Sequence, residues 1–373
     1  MNPTYTSIME ALTLPSGIQL KNRVIMAPMT HSSSLENGGV SEEELAYYKE
    51  RSGGVGAVIT ASSHVSLEGI AFRNEMGADD DSLIPGMRRL SRTIQAQGAK
   101  AILQIYDAGR MSSPELIDGK QPVSASGIAS ERPGSVVPRE MTEEEITAKI
   151  LAFGEATRRA IEAGFDGVEI QGANTYLVQQ FFSPHSNRRS DRWGGTMEKR
   201  MAFPLAVITS VKQSIAEHAK APFLIGYRVS PEEKETPGIT MEDTLQLVDV
   251  LAEQELDYIH VSVRGFWDGS IRDETDKKSR VLLIHERVGH RIPVIGVGGL
   301  SLPEDVKQAR DAGVPLVALA HAIIMEPKWV EKVLNDQENE IRTTLPRLAQ
   351  EELVLPDPLW NMLINVPGWF PVV

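Results

Sequence analysis

The chain has 373 residues, with 38 Lys and Arg against 51 Asp and Glu, a formal net charge of −13. That balance excludes a non-specific nucleic-acid binder or an anionic-membrane binder, since both need a basic footprint. Cysteine is absent, which removes disulfides, thiolate metal ligands, iron–sulfur clusters and a cysteine nucleophile.

With 41% hydrophobic and 24% charged residues, the chain has the composition of an ordinary globular protein, so a large core is expected. The first residues, through Gly17, have neither the basic nor the apolar region of a signal peptide. The longest charge-free apolar stretch, Gly313 to Met325, falls short of the ~20 residues a membrane span needs. A soluble cytoplasmic protein is expected.

In chain order, Leu12–Leu20, turning at Pro15-Ser16-Gly17, predicts a small hairpin over one end of the fold. Eight apolar runs follow: Val24–Met29, Ala57–Ala61, Ala101–Ile105, Gly167–Ile170, Phe223–Val229, Tyr258–Val263, Pro293–Val297 and Leu316–Ala320. Several are continuous rather than alternating, the pattern of parallel strands covered on both faces. Helical segments separate them. Thr142 with Glu145 predicts a capping box ahead of Ile146, Ile150, Phe153, Thr157 and Ile161 at helical spacing. Ser41/Glu44 and Ser301/Glu304 repeat the signal, and Thr240/Asp243 is a weaker form of it.

Eight strand–helix alternations without a composition break predict one α/β domain over residues 1–373, a (β/α)8 TIM barrel. The barrel is placed at about residues 22–335 and a C-terminal extension at about 336–373. A doubly wound open sheet is the alternative, because alternation alone does not show closure. The extension carries Trp360, Trp369 and Phe370 among four prolines and reads as a packed extension or a subunit contact, hence a possible homo-oligomer. The connections 111–140, 173–195 and 264–278 follow the third, fourth and sixth strands, on the face where barrels place their chemistry.

Gly296-Val297-Gly298-Gly299-Leu300-Ser301 begins like a dinucleotide fingerprint but has Ser at the third glycine. No P-loop and no GxSxG elbow occurs. His285-Glu286 and His290 are one residue too far apart for a zinc-binding helix face, so no metal is expected. Gly298-Gly299 and Ala320-His321 end the seventh and eighth strands, where barrels often hold a phosphate on backbone N–H groups. Tight turns are the other explanation for those glycines.

Leu20-Lys21-Asn22-Arg23-Val24-Ile25-Met26-Ala27-Pro28-Met29-Thr30 resembles the opening strand of the old yellow enzyme family of FMN-dependent oxidoreductases. Gly164-Phe165-Asp166-Gly167-Val168-Glu169-Ile170, Asn174, Tyr176 and the run from Ser183 to Gly195 extend the match. Gln104, Ala108-Gly109-Arg110, Arg228, Val297-Gly298-Gly299 and Val317-Ala318-Leu319 continue it in family order. The resemblance covers nearly the whole chain to about residue 335 and is closest to the bacterial NADH:flavin oxidoreductase/NADH oxidase branch.

The resemblance implies FMN at the C-terminal mouth of the barrel. It also implies hydride transfer from NADH or NADPH to flavin N5, then to an activated alkene such as an enone, or to another small acceptor. Pro28, Met29 and Thr30 are expected against the flavin ring and Ser62 along its edge. Gln104, an amide in an apolar strand, suits the pyrimidine ring; Arg228, a charge in an apolar run, needs an anionic partner and matches the residue near N1 and C2=O. Val297, Gly298, Gly299, Ala320 and His321 are expected at the phosphate. Tyr176 matches the proton donor, and Gln171 and Asn174 the pair that grips the acceptor's carbonyl oxygen.

Three positions depart from the family pattern. Gln171 stands where His is common, and an amide donates a hydrogen bond but carries no charge. Ala320-His321 replaces the usual Gly-Arg at the phosphate, which predicts FMN affinity that falls as pH rises through the imidazole's titration. Asp107 occupies a position often held by His, with no evident substitute for that role. The departures leave a second reading: an FMN-binding barrel with impaired ene reduction, acting mainly as an NADH oxidase or flavin-binding protein. A non-flavin phosphate-binding isomerase barrel would leave Gln104, Arg228 and the long loop match as coincidence.

Overall fold

The computed structural model describes residues 1–373. Eight parallel strands form the barrel: β1 (Val24–Met26), β2 (Ala57–Ile59), β3 (Lys100–Tyr106), β4 (Gly167–Gly172), β5 (Leu224–Val229), β6 (Tyr258–Val261), β7 (Val294–Val297) and β8 (Leu316–Leu319). Each pairs with its neighbours in chain order, and β8 returns to β1, so the sheet closes and the open-sheet alternative falls. All eight strands lie within the predicted apolar runs or overlap them.

Helices α1 (Glu42–Arg51), α2 (Ile84–Ala96), α3 (Glu143–Glu162), α4 (Met197–His218), α5 (Met241–Leu251), α6 (Arg280–Val288), α7 (Pro303–Asp311) and α8 (Trp329–Leu334) follow the strands in turn. Ser41 Oγ accepts from Glu44 N at the start of α1. Thr142 and Glu145 form the full reciprocal box on α3, and Thr240 and Asp243 form one equally complete on α5. At α7 the expectation fails. Pro303 opens that helix, and Asp305, not Glu304, accepts from the N–H groups of Ser301 and Leu302. A proline at the first helical turn has no N–H to cap, so the carboxylate reaches back to the two preceding donors.

Leu12–Thr13 and Gln19–Leu20 pair antiparallel as the predicted hairpin. Ser16 N at its tip donates to Asp257 Oδ1, just before β6, so the hairpin plugs the N-terminal end of the barrel. Leu14, Ile18 and Leu20 then join Ile25, Ile102, Leu224 and Leu316 in one apolar cluster inside it.

Toward the other end the interior divides. Side chains two apart on a strand share a face, and residues opposite in register point the same way. Register sets Gln104 opposite Glu169, and Arg228 opposite both Gln171 and His260. These five polar residues crowd the upper interior on β3 to β6, while Ala27, Ile59, Val297 and Ala318 keep the other half apolar. Gly226 makes room for this arrangement, since a Cβ there would meet the Tyr258 ring at 2.2 Å.

Candidate functional site

A cavity of about 520 Å³ opens at the C-terminal mouth of the barrel. Pro28, Met29, Arg228, Val297, Gly298, Gly299, Ala320 and His321 line it, all of them expected site residues. Arg264, Ser301, Gly368 and Trp369 also line it and were not expected. Thr30 follows Met29 directly and is half-buried, four residues past the end of β1.

Arg228 is 8% exposed, forms no salt bridge, and its Nε is buried without a hydrogen-bond partner. Burial pulls its pKa down, with the negative charge of Glu169 opposing. A buried guanidinium without a partner is costly, and the cavity it faces is where an acceptor would satisfy it. The glycine end of the cavity is equally particular. Gly298 has φ +114°, and a Cβ there would lie 2.8 Å from the Arg264 carbonyl oxygen, so no other residue fits this turn.

Next to Arg228 runs a buried polar network. Gln104 Nε2 donates to Glu169 Oε1 at 2.6 Å, and Glu169 Oε2 sits 3.0 Å from His260 Nδ1. Because a carboxylate only accepts, this contact orients the Gln104 amide and turns its oxygen toward Ser62 and Gln171. Ser62 Oγ donates to that oxygen at 2.5 Å and Gln171 Nε2 at 3.3 Å. Burial works to raise the Glu169 pKa, but His260, Arg228 and Gln104 together hold it below the ordinary carboxylate range. Burial keeps His260 below the ordinary histidine value, against the pull of Glu169. The network thus holds an anionic Glu169 near Arg228, a cation that it balances in part but does not hydrogen-bond.

Beyond β4 the chain makes a strained turn. Asn174 and Thr175 both have positive φ, 56° and 68°. Asn tolerates that conformation; a β-branched Thr does not, at a strain of about 1–3 kcal/mol. Gln179 Oε1 accepts from Thr175 N, and Gln180 Nε2 donates to Thr175 O, which hold the turn shut. Its product is placement. Asn174 N donates to Ser230 Oγ, Asn174 Oδ1 accepts from Ser262 Oγ, and Tyr176 starts the short helix Leu177–Phe182. The Tyr176 ring meets Tyr106 edge-on at 4.8 Å between centroids, and burial raises the Tyr176 phenol to about 12, with Glu75 adding to the shift.

One expectation needs correction. His321 forms no ion pair: its ring lies 4.2 Å from that of Phe370 and 6.1 Å from that of Trp369. Burial keeps its pKa below the ordinary histidine value, so it is not a ready cation at neutral pH. Asp107 faces away from the cavity. It is fully buried against Lys149 Nζ at 2.6 Å, and it accepts from Ser66 Oγ and Gly109 N, a pair that clamps the β2 and β3 connections to α3.

Glu169 and His260 gave the same signal as Gln104 and Arg228, a polar residue inside an apolar run. Arg264 and the Gly368-Trp369 segment had no such signal, since both lie in irregular chain. The tail aromatics Trp360 and Phe370 are buried within this chain, while Trp369 is half-buried in the cavity wall.

No helix is long and apolar enough to cross a membrane. Residues 8–340 match the NADH:flavin oxidoreductase / NADH oxidase family. The chain is 47% identical over 371 residues to a probable NADH-dependent flavin oxidoreductase, YqiG, of Bacillus subtilis, covering 100% of this chain and 99% of that one. It is also 47% identical over 361 residues to an NADH:acrylate oxidoreductase of Vibrio harveyi, covering 95% of this chain but 36% of the relative. The old yellow enzyme homologue of Zymomonas mobilis superposes with a TM-score of 0.76 at 22% identity, over 88% of this chain and 93% of that one.

Proposed function

Because the chain belongs to the NADH:flavin oxidoreductase / NADH oxidase family and is an FMN-dependent oxidoreductase, we propose that the cavity at the barrel mouth is its FMN site and that an activated alkene is its acceptor. The observation that carries the assignment is Arg228, a buried guanidinium without a partner in the cavity wall. When bound, FMN supplies the two-electron redox centre between a nicotinamide donor and the acceptor.

The protein's own part is positioning and electrostatics. Arg228 would hold the pyrimidine edge of FMN and stabilise negative charge there. Gln104, its amide held between Glu169 and Ser62, stands beside the pyrimidine edge. Pro28, Met29 and Thr30 back the ring from the end of β1, and Val297, Gly298, Gly299, Ala320 and His321 wrap the phosphate end. Asn174 and Gln171 stand at the acceptor's carbonyl, and the Tyr176 phenol, kept protonated by burial, delivers the proton to the α-carbon.

A second reading has its own support. Gln171 spends its amide inside the protein, donating to Gln104 Oε1 and accepting from Ala173 N. That favours acceptors which need no carbonyl grip, such as oxygen, and a chain acting mainly as an NADH oxidase. The absorption spectrum of purified protein is the first test. Flavin bands that bleach on anaerobic addition of NADH are expected, and a protein that gains no flavin spectrum with added FMN overturns the assignment. Reoxidation by a simple enone, against reoxidation by oxygen, then separates the two readings.

A further inference from the structure

Two cationic side chains stand in the cavity wall, and they differ in their surroundings. Arg228 is deep, beside Glu169 and Gln104. Arg264 is exposed on the connection after β6 and forms no salt bridge and no side-chain hydrogen bond. Asp268, four residues on, leaves it unpaired too. Yet the backbone of Arg264 is held firmly. Phe266 N donates to Gly298 O at 2.9 Å, and the Arg264 carbonyl packs against Gly298 so closely that a Cβ would not fit between them. The residue is therefore pinned to the Gly298-Gly299 turn, at the glycine end of the cavity.

That end lacks a charge. Ala320 has none, and His321 is enclosed by Phe370 and Trp369 with no carboxylate to hold a proton on its ring. Backbone N–H groups alone are neutral donors, and a phosphate monoester carries about −1.5 to −2 at pH 7. A guanidinium matches phosphate with parallel N–H donors and keeps its charge at every working pH. We propose that Arg264 supplies the permanent positive charge for the FMN phosphate and so makes this site select FMN over riboflavin. The inference rests on reading the cavity as the FMN site.

The test is titration of the full-length chain, stripped of flavin, with FMN and with riboflavin, followed by quenching of flavin fluorescence. The wild type is expected to prefer FMN. Arg264→Gln raises the Kd for FMN about tenfold and leaves that for riboflavin unchanged, while Arg264→Lys keeps most of the preference. Riboflavin binding also reports folding in each variant. An unchanged FMN Kd in Arg264→Gln, or an equal loss for both flavins, overturns the role of Arg264. A wild type that binds both equally overturns it as well, with the flavin site intact. A wild type that binds neither removes the flavin-site reading itself.

Discussion

Replacing Arg228 with Met keeps the length of the side chain and removes its charge, and the two consequences have opposite signs. The apoprotein no longer buries a guanidinium without a hydrogen-bond partner, a gain of roughly 1–3 kcal/mol from which the loss of a charge beside the anionic Glu169 subtracts. FMN loses its charged donor, so its affinity falls about tenfold to a hundredfold. Thermal unfolding with and without FMN reads both at once, and a variant destabilised in both states contradicts the assignment. Tyr176→Phe removes only the acid, so enone-dependent reoxidation falls about a hundredfold while bleaching by NADH persists. Because the phenol titrates at about 12, wild-type enone reduction keeps this donor through ordinary alkaline buffers. Gln171→His places an imidazole at the proposed grip on the acceptor's oxygen, and turnover with an enone is expected to rise about tenfold. No gain in turnover or in phenol binding shows that this position does not polarise the acceptor.

At the scale of elements, the caps of α1, α3 and α5 and the apolar runs were legible because each depends on residues within one turn or one strand. The connections were legible only as positions on the catalytic face. One of them carries a pH response. His64, after β2, lies 3.0 Å from Glu75 and 3.3 Å from Asp79. Burial alone would lower its pKa, but hydrogen bonds to Asp79 and Glu75 outweigh this and lift it to about 9. A folded-state pKa above the unfolded value of about 6.5 stabilises the protein fully below pH 6.5 and loses that contribution as pH rises through 9. The contribution is about 3 kcal/mol. Stability of the wild type is expected to decline from pH 6.5 to 9.5, and His64→Gln to flatten that decline; parallel slopes in urea unfolding contradict it. The strained Asn174-Thr175 turn had no local signal, because the Gln179 and Gln180 contacts that hold it have meaning only once the following helix is placed.

For the whole molecule, the decisive feature is the return of the tail to the mouth of the barrel. Leu345 N donates to Pro371 O, and Gly368 and Trp369 close one side of the cavity. Ending the chain at Val366 is expected to leave the barrel folded but to open the proposed phosphate end, so that FMN release quickens about tenfold or more. Unchanged release rates in stopped-flow dilution show that the tail does not retain the cofactor. The sequence by itself determined the eight strands, their parallel closure once the family was recognised, and the identity of about half of the cavity wall. The strands depend on local periodicity, while closure and the cavity wall were implied by the resemblance to the family, with Arg228 also standing out as a charge in an apolar run. Only the tertiary structure decided that Asp107 pairs with Lys149, that His321 lies among aromatic rings, and that Arg264 stands free beside Gly298. Each of these is a question of which distant groups share one low-dielectric space, and a side chain's charge and chemistry follow from its neighbours across the fold.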